Sequence, residues 1–172
     1  MDTVVSPAYF IRLYAWEVLK RNMGDVWDEE NYGDLVPIVP VAEEPDLSEF
    51  TGPHIVWGYA SDSTGRLFAQ NGGSVTFAVY DDDFRRLTKT MNILQAAFER
   101  QDETARDINK YSTSKGGAFI GVRFGSVWIG FVEGGTPEDS EGGRQSALIN
   151  INYECFIEYD PSKLVTDVTL PL

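Results

Sequence analysis

Two side chains suited to nucleophilic or general-base catalysis stand alone in this sequence: His54 is the only histidine and Cys155 the only cysteine. A serine hydrolase needs a histidine base beside its nucleophile, yet His54 follows Pro53 at the entrance to a strand-like run, and no nucleophile-elbow pattern occurs. Cys155 alternates into the apolar side of a strand pattern, the setting of a small core residue rather than of a reactive thiolate. One cysteine and one histidine also exclude internal disulfides, thiolate-rich zinc sites and multi-histidine metal centres. Carboxylates are plentiful, but glycosidase chemistry needs one carboxyl with a raised pKa held near a second, and these acids lie mostly in hydrophilic runs that keep them ionised. Asp81-Asp82-Asp83 has the composition of a calcium or magnesium ligand set, but it opens a helix at once, and capping is the stronger reading. Gly116-Gly117 and Gly121 lack the spacing and the lysine of a phosphate-cradling loop. No catalytic residue, metal or cofactor is expected.

The charge points the same way. There are 27 acidic and 14 basic side chains, a formal charge of -13, which argues against a tight grip on DNA phosphates or an anionic membrane. No run approaches the roughly 18 to 20 apolar residues of a membrane helix, and the start lacks a signal-peptide pattern, so a soluble, intracellular chain is expected. Ten of the acids fall between Asn22 and Gly65 with no lysine or arginine among them. That stretch is either a solvated, self-repelling loop or a functional one.

At 172 residues one domain is the default. Ser6-Pro7 is an N-cap and first-turn pair, so a helix is predicted from there to about Asn22, stopped by Gly24. Its apolar residues, from Tyr9 to Leu19, cover most of the circumference, which calls for cover on more than one side, from the domain itself or from a second subunit. From 25 to 52 no period persists, and Pro37, Pro40 and Pro45 punctuate an apolar run over 35–41; this reads as an extended arm lying on protein, at an edge or on a polyproline-like path. Strands are predicted at His54 to Tyr59, Arg66 to Gln70 and Ser74 to Tyr80, the last two joined by a tight turn at Asn71-Gly72-Gly73 to give an antiparallel meander. Phe84, Leu87, Met91, Leu94 and Phe98 recur at spacings of three and four and predict a helix with one buried face, ending near Arg100. A short amphipathic segment, Glu103 to Tyr111, follows it.

The last third is again strand-like. Phe119 to Phe124 and Val127 to Val132 flank Gly125-Ser126, which is a turn or a bulge. Leu148 to Asp160 alternates almost without error, and at about 3.3 Å per residue it is long enough to project beyond a sheet. The glycine-shouldered acidic segment 133–144 between these patterns reads as a long hairpin loop, either solvated or meeting a partner, with Arg144 available to pair with acids at a subunit contact. The expected fold is α+β: a mostly antiparallel or mixed sheet packed by an N-terminal helix and a central helix, with a long protruding hairpin. The expected organisation is one domain over 1–172, with an arm at 25–52, a hairpin loop at 133–144 and a C-terminal tail at 161–172.

Gly121-Val122-Arg123-Phe124-Gly125, Gly130 to Glu138 and Glu141-Gly142-Gly143-Arg144 leading into Ile149-Asn150-Ile151 resemble the tail terminator, or tail completion, proteins of tailed bacteriophages. Weaker similarity lies in Val36 to Val41 with Glu44-Pro45 and in Ile55 to Tyr59. The resemblance implies a non-enzymatic virion protein, assembled in the host cytoplasm, that forms a ring, hexameric in that family. Such a ring caps the tail tube, meets the head-tail connector or neck proteins, and in contractile tails also tends the sheath. Candidate subunit or partner contacts are Val36, Ile38, Val41, Glu133, Thr136, Pro137, Glu138 and Arg144. Candidate channel-lining acids are Glu43, Glu44, Asp46, Asp139 and Glu141, since a like-charged bore discourages DNA phosphates from sticking as the genome passes. Other readings are a neighbouring connector or baseplate protein, a carboxylate-dependent hydrolase with two facing acids, and a small monomeric binding module.

Overall fold

In the computed structural model the described residues are 7–28, 37–40, 52–62, 70–113, 120–134, 145–159 and 162. They form a mixed α+β fold whose elements, in chain order, are α1 (Pro7–Asn22), β1 (Ile38–Pro40), β2 (His54–Asp62), β3 (Gln70–Asp81), α2 (Phe84–Phe98), α3 (Asp102–Thr113), β4 (Ile120–Gly134) and β5 (Gln145–Tyr159). The sheet order is β1-β2-β3-β5-β4. β2, β3, β5 and β4 are antiparallel neighbours, and β1 adds a three-residue parallel strand at the β2 edge.

One sheet face is clad by helices. Val75, Phe77 and Val79 of β3, Ile149, Ile151, Tyr153 and Cys155 of β5, and Val122, Phe124 and Val127 of β4 are buried there with Leu87, Met91, Leu94 and Phe98 of α2. The apolar circumference of α1 finds its cover within the chain: Tyr14 meets Phe98 edge-on at 5.4 Å, and Trp16 meets Trp27 at 6.5 Å. Trp27 in turn donates to Thr90 Oγ1 of α2 at 3.3 Å. The arm run supplies the edge strand its prolines permit, with Ile38 fully buried and its carbonyl accepting from Arg12 Nε at 3.0 Å.

The carboxylates before α2 are caps. Asp83 accepts from the amides of Arg85 and Arg86, while the fully buried Asp81 side chain accepts from the Asp83 amide and takes both Nε and NH2 of Arg86, at 2.8 and 2.7 Å. Phe84, predicted on the buried face of α2, is 59% exposed at the first helical position after the Asp83 cap. Gln101, at φ 49°, turns the chain between α2 and α3.

Two expectations are corrected and one open alternative is decided. Asn71-Gly72-Gly73 is not a turn: it lies inside β3, paired with Cys155, Glu154 and Tyr153. A Cβ on Gly73 would strike the Tyr153 hydroxyl and sit 2.8 Å from the Ala60 carbonyl, so glycine is there to admit the tyrosine ring, and the three-strand meander is replaced by the pair β2-β3. The expected strand at 66–69 falls outside the described residues, as do Ser6, the loop 135–144 and the tail beyond 159 apart from Ser162. Gly125 is a bulge within one continuous β4, and a second bulge lies at Gly130. β5 stays paired along its length: residues 147–156 lie between β3 and β4, Gln145 and Ser146 pair with β3, and the last three pair with β4.

Candidate functional site

The opposite face of the sheet carries no helix among the described residues, and its side chains follow from the pleat. Adjacent rows run Gly58, Thr76, Asn150, Phe131; then Ala60, Ser74, Asn152, Trp128; then Asp62, Gly72, Glu154, Ser126. A belt of amides and hydroxyls crosses the middle, small residues occupy the β2 and β3 side, and aromatic rings stand along β4. Trp128 is 37% and Phe131 45% exposed, and Phe156 at the far end is 44% exposed.

The second bulge builds this arrangement. Residues three apart on a regular strand point to opposite faces, but the extra residue at Gly130 puts Trp128 and Phe131 on the same one. A Cβ at Gly130 would collide with Asn150 Oδ1 and Asn152 Nδ2, so the absent side chain is what lets both amides lie beneath the bulge. Asn150 donates to Thr76 Oγ1 at 2.9 Å, holding the belt across β3 and β5. Ser126 Oγ lies 3.4 Å from Glu154 Oε2.

The edges of the sheet are treated unevenly. At β4, Asn109 of α3 occupies the place of a neighbouring strand: its Oδ1 accepts from the Phe124 amide at 2.7 Å and its Nδ2 donates to the Phe124 carbonyl at 2.9 Å. Beyond the first bulge the side chains from Gly130 to Gly134 are exposed. Beside Asn109, a groove is lined by Asp102, Arg106, Arg123 and Phe156, bringing two of the few cations of this acidic chain together.

Neither of the two lone catalytic candidates, His54 and Cys155, opens onto this face. His54 is fully buried and stacked on Tyr80 at 5.1 Å. Cys155 is fully buried on the helix-clad face, where burial pushes its thiol up to about 11, the reverse of an activated nucleophile. Among the described residues no group of histidine, cysteine and acidic side chains is arranged to hold a metal ion, and no helix is long and apolar enough to cross a membrane.

Of the contacts anticipated from sequence, Glu133 is exposed on the outer strand, opposite Leu148. Ile38 is fully buried in the chain's own core, where β1 pairs it with Ile55, and so offers no surface to a partner. Val36, Val41, Thr136, Pro137, Glu138, Arg144, Glu43, Glu44, Asp46, Asp139 and Glu141 lie outside the described residues. Sequence reasoning missed Trp128, Phe131, Asn150 and Asn152; the available signal was a glycine inside an aromatic strand run, the mark of a bulge. Neither a family model nor a curated protein matches the chain.

Proposed function

We propose that the chain is a structural subunit of a tailed-phage particle: a tail-terminator ring protein, hexameric as in the family it resembles, that caps the tail tube and meets the neck. The observation that carries the reading is the sheet face left uncovered by the described helices, whose two middle rows, Gly58-Thr76-Asn150-Phe131 and Ala60-Ser74-Asn152-Trp128, hold no charge in a chain of net charge -13 and end in exposed aromatic rings. Strongly acidic copies repel one another and are best joined through uncharged surface, with aromatic residues supplying most of the contact energy. The acids left outside such contacts suit a bore that DNA traverses without being held. In this reading Glu43, Glu44, Asp46, Asp139 and Glu141 face the channel, and Thr136, Pro137, Glu138 and Arg144 meet a neighbour or the tube. The test is to add the purified protein to growing tail tubes and image them by electron microscopy. A ring on one end with arrested elongation is the expected result; tubes that grow to the same lengths and carry bare ends would reject the assignment.

A further inference from the structure

Among the described residues the sheet has two unpaired margins, and they stand at the same height. On the β2 side, β1 covers the strand only as far as Trp57, so among the described residues nothing pairs with the outer side of Gly58–Asp62, where Tyr59 is 59% exposed. On the β4 side, Asn109 closes the edge at Phe124 and no described strand pairs with the residues beyond it. Followed across the ladders, these two segments stand at the same height: Asp62 lies in the row of Ser126, Ala60 in that of Trp128, Tyr59 in that of Ile129, and Gly58 in that of Phe131. Three antiparallel steps separate β2 from β4, so the two strands run in opposite directions.

We propose that a second copy of this chain adds head to tail, its β2 segment 58–62 pairing antiparallel with β4 residues 126–131 of the first. The inference deepens the assembly reading above and rests on it. Several observations favour another copy over an unrelated strand. The two margins overlap in height, their directions give the antiparallel pairing when copies are placed side by side, and apart from Asp62 the segments 58–62 and 126–131 contain no charged residue in a chain of -13. The Gly130 bulge falls next to the end of the neighbour's β1, at Pro40 opposite Trp57, where a bend in β4 leaves room for it. Because the contact joins two different margins it is heterologous, the kind that closes into rings when the rotation permits.

The test is disulfide trapping of the full chain at high concentration, with Ala60→Cys and Trp128→Cys made singly and together, and Gly58→Cys with Phe131→Cys as a second row; buried Cys155 does not compete. The paired variants are expected to give a ladder of covalent multimers on oxidation and the single variants none. Dimers from a single variant would mean a two-fold contact, and the absence of any ladder in both rows would mean no such contact; either overturns the proposal. Independently, Trp128→Lys on the exposed margin is expected to weaken self-association at least tenfold in sedimentation equilibrium while leaving the circular dichroism unchanged, and unaltered association would also overturn it. Capping of tail tubes without the ladder would fault the contact alone, whereas a ladder without capping would fault the tail-terminator reading alone.

Discussion

The two faces of β5 come from alternate residues of one strand and differ in almost every physical respect. Ile149, Ile151, Tyr153 and Cys155 are at most 2% exposed beneath the helices, while Asn152 and Glu154, between them, stay partly open to solvent. The clad face carries the burial that stabilises the fold. The open face carries hydrogen-bonding side chains and marginal aromatics whose removal exposes little, so its sequence is free to answer to a partner. Burial is thereby confined to one side of a layer one backbone thick, and the other side is the one the proposed assembly draws on.

That division can be broken in order of expected effect. Phe77→Ala, on the clad face, should cost about 3–5 kcal/mol in urea unfolding, as a fully buried ring packed on Phe98 is lost. Asp81→Ala removes the acceptor of three hydrogen bonds at the start of α2 and should cost about 2 kcal/mol, tempered because Arg86 is partly exposed. Gly73→Ala, which drives a methyl into Tyr153, should cost about 1–3 kcal/mol, whereas Gly72→Ala, pointing to the open side, should be near neutral. Phe131→Ala should change stability by less than about 0.5 kcal/mol; a loss comparable to that of Phe77→Ala would show that the open face is part of the core.

Alkaline titration sharpens the same contrast. Burial raises Cys155 to about 11 and, with the neighbouring Cys155 and Tyr59 charges, Tyr153 to about 12. Above pH 9 for the thiol and above pH 10 for the phenol the unfolded chain releases these protons while the folded chain keeps them. Stability is therefore full below pH 9 and falls as pH rises toward the folded values, by about 1.4 kcal/mol per pH unit for each group. Cys155→Ala should flatten the first part of that fall in pH-dependent urea titrations, and an unchanged slope would show that the thiol is solvated.

What could be read in advance follows from interaction range. The helix face of Leu87, Met91, Leu94 and Phe98 and the alternation of β5 are local periodicities, and both stand in the structure. Phe84 belonged to the same period but sits one residue after the cap and is exposed, so the period marks the helix without marking how far its buried face extends. Gly72-Gly73 had the composition of a turn, yet the reason for Gly73 is a tyrosine ring eighty positions away, which no local pattern contains. Trp128 and Phe131 look like residues of opposite faces until the bulge is placed, and its placement depends on the register with Asn150 and Asn152.

The Gly130 bulge also bears on behaviour at high concentration. Val127-Trp128-Ile129-Gly130-Phe131-Val132 is an uncharged, aromatic and β-branched hexapeptide on an outer strand, the composition of segments that stack into cross-β fibrils. Such stacking requires a straight strand that identical chains can copy in register. A residue left out of the ladder bends and twists the strand within the hexapeptide itself, so the segment can remain sticky enough for one defined neighbour while being a poor template for amyloid.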